Sequence, residues 1–228
     1  MPRIARLVAV GLPHHITQRG NYRQDVFLDD SDREKYLSWI QEYSNKYKLD
    51  ILSYCLMQNH VHFIAVPEKE DSLAKTFNTA HMRYSHYFNK KLKAQGHLWQ
   101  GRFYSCVLDE PHLIVAAKYI ERNPVRAKIV NKPWQWLWSS AKAHTDNKEQ
   151  SQIRLKNIFE IIDNMSYDAW KYYIDSKEDR EAADAIRMHT LTGRPLGTYK
   201  FIEALEKRFG RRLVALPIGR PKDVKSNK

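Results

Sequence analysis

Cysteine is nearly absent: only Cys55 and Cys106 carry a thiol in 228 residues. Two thiols exclude a disulfide scaffold and a cysteine-rich zinc site. Long apolar runs are missing too. No window approaches the roughly 20 residues that span a bilayer. The apolar stretch from Leu7 to Leu12 is too short for a signal-peptide core, so a cytoplasmic protein is expected. There is no internal repeat and no low-complexity tract, which sets aside solenoids and biased tails. Negative charge is in deficit: 26 Asp and Glu face 38 Lys and Arg, for a net charge of +12.

What is present is a globular chain with many rings. Apolar residues make up 43%, enough for a packed core. The length suits one domain with an appendage, or two small domains. Aromatics reach 12%, with 13 Tyr and 6 Trp. Cations neutralise phosphates and flat rings stack on bases, so the composition points to a nucleic-acid binder. A merely basic protein is the competing reading.

The hydrophobic pattern predicts strands over 14–19, 49–57, 60–66 and 102–108 and helices over 30–47 and 72–93. A further helix is expected to start after Asp109, with Pro111 in its first turn, and to end near Asn123-Pro124. Strand, helix, strand, strand, helix, strand, helix is the ferredoxin-like (RRM-like) α+β arrangement. It has an antiparallel sheet with helices packed on one face, leaving the other available for a site. This domain is expected over 1–144. Residues 145–190 read as an acidic helical connector. Residues 191–228 read as a basic extension holding ten cations and three anions, +7 of the net +12. Toward the C-terminus Glu181–His189 and Tyr199–Phe209 are candidate helices, with Thr192–Gly197 as the turn between them. Trp134, Trp136 and Trp138 read as packing residues.

His60-Val61-His62 is the sharpest local feature. Alternate residues of a strand share a face, so both imidazoles can converge on one cation. A hydrogen-bonded pair of structural histidines fits the pattern equally well. Tyr119 and Asn123 are one helical turn apart, on one face. An amide oxygen suits a hard divalent cation, and a phenol can serve as a nucleophile. Phenols are protonated near neutrality, so a nearby cation would be needed, and Lys118, Arg122 and Arg126 are at hand. Pattern alone favours a core tyrosine.

Four stretches carry a resemblance. They are His15-Ile16-Thr17-Gln18-Arg19-Gly20-Asn21, Tyr54 to His62, Gly96 to Phe103, and Tyr119-Ile120-Glu121-Arg122-Asn123-Pro124-Val125-Arg126-Ala127. In that order, over more than half the chain, they resemble the REP-associated tyrosine transposases, HUH endonucleases related to single-tyrosine insertion-sequence transposases. The resemblance implies the ferredoxin-like fold. It also implies cleavage and rejoining of single-stranded DNA near hairpins through a 5′-phosphotyrosine. Tyr119 matches the catalytic tyrosine. His60 and His62 match the histidine pair, and Asn123 matches the polar metal ligand, where related insertion-sequence enzymes usually have Gln. The cofactor would be Mg²⁺ or Mn²⁺ and the partner single-stranded or hairpin DNA at the nucleoid. No membrane or obligate protein partner is implied, and a monomer is expected.

Arg19, Arg83, Arg102, Arg122 and Arg126 are candidate phosphate or base contacts, with Trp99 and Phe103 as stacking rings. In the basic extension the candidates are Arg194, Arg211, Arg212, Arg220 and Lys222. That extension reads equally well as a non-specific electrostatic grip. The alternative to an enzyme is a non-catalytic DNA- or RNA-binding regulator. Sheets of this class also bind RNA through exposed aromatics, but the glycine-and-aromatic strand motif of that class is absent here.

Overall fold

The computed structural model describes residues 6–148, 150–162 and 165–215. The first half runs β1 (His14–Arg19), α1 (Asp30–Tyr47), β2 (Leu49–Leu56), β3 (His60–Pro67), α2 (Ser72–Leu92), β4 (Tyr104–Val107) and α3 (Glu110–Glu121). The strands form one antiparallel sheet in the order β2-β3-β1-β4, the expected α+β ferredoxin-like arrangement. Then follow α4 (Asn123–Arg126), α5 (Ala141–Thr145), α6 (Tyr167–Asp175), α7 (Arg180–Thr192) and α8 (Tyr199–Phe209).

Local chemistry sets the boundaries. Asp29, in extended geometry, accepts from the Asp32 amide and caps α1, one residue earlier than the sequence pattern suggested. Asp109 accepts from the His112 amide and Pro111 lies in the first turn, which starts α3. Asp179 caps α7, and Gly193, at φ 73°, ends it in the left-handed conformation that glycine adopts without strain. β4 is shorter than the predicted 102–108. Gly101 turns at φ 83° and Gln100 donates to the Arg19 carbonyl, so the ladder opens only at Tyr104 opposite Thr17.

The sheet is buried on both faces. Val61, Phe63 and Ala65 of β3 pack with Tyr36 and Ile40 of α1 and Phe77 and Tyr84 of α2. Ile64 and Val66, with opposite parity, pack with Leu113, Ala117 and Ile120 of α3, Trp170 and Ile174 of α6, and Ile186 of α7. His62 has that second parity. The face left available for a site is therefore roofed by α3, α6 and α7.

Both sheet edges are covered. Ser139 bridges Cys55 beside β2, and Leu196 bridges Leu108 beyond β4. In the stretch expected to be a helical connector, α6 and α7 complete the second core. The Trp134-Trp136-Trp138 cluster packs: Trp138 donates to Asp30 and Trp136 to the Leu56 carbonyl. Among the described residues no helix is long and apolar enough to cross a membrane.

Candidate active site

β3 delivers His60 and His62, and α3 delivers Tyr119 over the same face. The His60 and His62 ring centroids are 5.1 Å apart, and the Tyr119 ring meets His62 edge-on at 5.7 Å. His15, on the neighbouring strand β1, lies parallel and edge to edge with His62, centroids 5.1 Å apart, and meets Tyr119 at 6.0 Å. Four rings therefore cluster between the sheet and α3.

Burial keeps the imidazoles neutral. It is the main cause pushing His60 and His15 down to about 3, with Arg19 and Arg126 adding repulsion at His60. Burial, followed by His60 and His15, holds His62 well below its ordinary value. Neutral rings are the form that can ligate a cation.

Charge gathers at the tyrosine. The Arg126 guanidinium lies 4.2 Å from the Tyr119 ring centroid and donates to the Tyr119 carbonyl and the Asn123 Oδ1. Glu178, just before α7, pairs with Arg126 from the other side. Arg187 of α7 donates from Nε to the Tyr119 hydroxyl at 3.3 Å. Burial opposes the Arg187 charge, but the Tyr119 hydroxyl and Asp184 outweigh it and raise its pKa. Of the three cations near Tyr119 in sequence, only Arg126 touches it. Lys118 donates to Ser176 and the Lys177 carbonyl, and Arg122 donates to the carbonyls of Ile174 and Asp175 at the end of α6.

The donor set fits a divalent cation in part. His60 Nδ1 is 2.6 Å from the Asn59 Oδ1, an acceptor that leaves the His60 Nε2 lone pair unused. Asn123 is buried, with Oδ1 on Arg126 and Nδ2 lacking a partner. One lone pair of that oxygen remains. Among the described residues no three His, Cys, Asp or Glu side chains converge to hold a metal ion. A cation here would have the two imidazoles as its paired donors, while the Asn123 oxygen is engaged by Arg126.

The predicted DNA contacts scatter. Arg19 is exposed and sits opposite His60 in the β1–β3 register. Arg102 and Arg212 are exposed, and Arg211 is half-buried. Arg83 is bound to Glu42 and Tyr43 on the α1–α2 side of the sheet, away from Tyr119. Arg194 donates to the Leu213 carbonyl. Trp99 and Phe103 are buried, 7% and 3% exposed, so their rings belong to the core rather than offering faces to bases. Arg220 and Lys222 lie outside the described residues.

Sequence reasoning missed His15, Arg187 and Thr190. His15 stood inside one of the resembling stretches, a polar ring in a buried strand. Nothing local marked Arg187 or Thr190.

The α+β sheet thus brings a histidine pair under a helical tyrosine. The chain belongs to the IS200-like transposase family, whose profile matches residues 9–123; it is an enzyme of the transposase kind. Its fold is similar to a REP-associated tyrosine transposase solved with a REP hairpin bound. The TM-score is 0.54 at 17% identity, over 73% of this chain and 99% of that one. A presumed transposase from Deinococcus radiodurans R1 superposes at a TM-score of 0.38 with 19% identity, over 53% of this chain and 97% of that one. No curated protein matches the sequence.

Proposed function

We propose that this protein nicks and rejoins single-stranded DNA beside hairpin repeats, at the nucleoid, with Tyr119 as nucleophile. The observation that carries the reading is the edge contact of Tyr119 with His62, with His60 beside it and two guanidinium groups on the tyrosine. A REP hairpin bound to a protein of the same fold supports hairpin DNA as the substrate.

The Tyr119 oxygen attacks a backbone phosphorus in line. A P–O bond to tyrosine forms and the bond to the 3′ oxygen breaks. The phenolic proton passes to water, and the departing 3′ oxygen takes one from water. A 5′-phosphotyrosine and a free 3′-hydroxyl result. Arg187 offers its N–H to the attacking oxygen, and Arg126 holds the ring and the backbone of its helix turn. The covalent bond retains the energy of the phosphodiester, so a second 3′-hydroxyl reseals the strand by the reverse step. His60, His62 and Asn123 would hold a divalent cation, Mg²⁺ or Mn²⁺, which when bound polarises the phosphate and offsets charge growing on its oxygens.

The test is incubation of wild type and Tyr119→Phe with a labelled hairpin carrying a single-stranded flank, in Mn²⁺ or Mg²⁺. A denaturant-resistant adduct is expected for the wild type only, with hairpin affinity unchanged within about twofold. An adduct from the Phe variant would assign the chemistry to another residue.

A further inference from the structure

A continuous hydrogen-bond chain runs from α7 to the histidine pair. The Thr190 hydroxyl lies 2.7 Å from the Ile186 carbonyl one turn back, an acceptor that cannot donate. The single hydroxyl proton therefore points there. Thr190 Oγ is also 2.7 Å from His15 Nδ1 and 3.3 Å from Cys106 Sγ. With its proton used, that oxygen accepts from both. His15 then carries its proton on Nδ1, and its Nε2 accepts. His62 Nδ1 lies 2.9 Å from His15 Nε2, so it donates. A neutral His62 has only one ring proton, and this chain puts it on Nδ1.

We propose that Thr190 is a positioning residue that sets the tautomer of His62 through His15, keeping the His62 Nε2 lone pair free for a cation. The proposal rests on the reading that His62 ligates, but the tautomer itself does not depend on it. The geometry makes α7 part of the site. One face of this helix sends Arg187 to the nucleophile and Thr190, one turn on, to the histidine relay. Ile186 locks the helix into the core beside α3 and α6. All members of the relay are buried, so no exchangeable solvent competes for the protons. Outer partners of this kind fix ring orientation and tautomer in metal-ligating histidines, and losing one typically costs about 10–100-fold in metal affinity.

Removing the hydroxyl reverses the chain. In Thr190→Val the His15 Nδ1–H has lost its acceptor, so the His15 proton moves to Nε2. His62 Nδ1 becomes the acceptor, and the His62 proton moves to Nε2, where it blocks ligation. Thr190→Ser keeps the oxygen and keeps the wild-type order.

The experiment is ¹⁵N imidazole NMR of the full chain without DNA, with Mn²⁺ titrated separately by calorimetry. The wild type and Thr190→Ser should show His62 with Nδ1 protonated and Nε2 bare. Thr190→Val should show the reverse, with Mn²⁺ affinity lower by about 10–100-fold and an otherwise native amide spectrum. A wild-type His62 carrying its proton on Nε2 overturns the proposal, whatever the fate of the variants. So does a Val variant with unchanged tautomer. Absence of Mn²⁺ binding by the wild type, with the predicted tautomers seen, would leave the relay standing and sink the metal reading of the site.

Discussion

Arg126 clamps Tyr119 from over its ring. The guanidinium sits 4.2 Å above the phenol ring while Nη2 donates at 2.9 Å to the carbonyl of the same tyrosine. Glu178 holds the far side of the arginine, and Asn123 accepts from Nη1 at 2.6 Å. One side chain thus fixes the ring, the helix turn below it and the amide beside it.

Arg126→Ala should therefore act on chemistry more than on fold. Loss of a cation–π contact costs about 1–2 kcal/mol, and the partly exposed ion pair with Glu178 adds about 1 kcal/mol or less. Urea unfolding should show a total loss of roughly 1–3 kcal/mol. Adduct formation should slow by about 10²-fold, the scale set by a small misplacement of a reacting group. Glu178→Gln keeps the arginine but loosens it, and should slow the adduct by about tenfold. An adduct rate unchanged in Arg126→Ala would reduce this arginine to packing.

How much of this was legible in the sequence follows from how local each feature is. His60 and His62 share a face because a strand alternates, and Tyr119 and Asn123 share one because a helix turns; spacing alone shows both. Asp109 and Pro111 announced α3 in the same way. His15, by contrast, reaches His62 across 47 positions, and Arg187 reaches Tyr119 across 68. No period links such pairs, and only the packing of α7 on the sheet brings them together. Ring content misled for a related reason. Trp99 and Phe103 look like stacking platforms in a basic chain, yet Trp99 donates to the His81 carbonyl inside the core. Composition counts rings but does not say which way they face. Arg83 was unreadable likewise, since its partners Glu42 and Tyr43 lie on another helix.

The buried histidines give the fold an acid limit. Burial lowers His14 to about 4, against a raising contribution from the Leu12 carbonyl, and lowers His15 and His81 to about 3. The unfolded chain takes up these protons near pH 6.5, while the folded chain does not. Stability is thus fully present above about pH 6.5 and declines as pH falls toward 3–4. Each such histidine contributes up to about 1.4 kcal/mol per pH unit in that window. Urea midpoints followed by tryptophan fluorescence should hold from pH 7.5 to about 6.5 and then drop steadily toward pH 5, with an unchanged m-value. His81→Gln, which can still meet the Tyr36 hydroxyl, should flatten the slope by about one proton. A midpoint constant across this range would mean that these rings protonate in place.

The C-terminal region should separate into two roles when it is shortened. Composition suggested a boundary at 190, but that cut falls inside α7 and beside Thr190. The structure suggests two other cuts. Ending the chain at 215 keeps α7, α8 and Leu213, and removes Arg220, Lys222, Lys225 and Lys228. Each phosphate contact contributes about 0.9 to the slope of log affinity against log salt on duplex and about 0.7 on single strands. If all four cations touch phosphate, the slope should flatten by about 3, with adduct formation at saturating protein and low salt unchanged. Ending the chain at 178 removes α7, and with it Arg187 and the Thr190 relay. The adduct should then be lost although Tyr119, His60 and His62 remain. That cut also uncovers the core around Ile186, so a full-length Arg187→Gln variant separates chemistry from folding. Its side chain is 45% exposed, and its loss should leave the unfolding midpoint nearly unchanged. Adduct formation should slow by about 10–100-fold. Full activity of the 178 truncation would show that the tyrosine and histidine pair are sufficient and that α7 is only a roof.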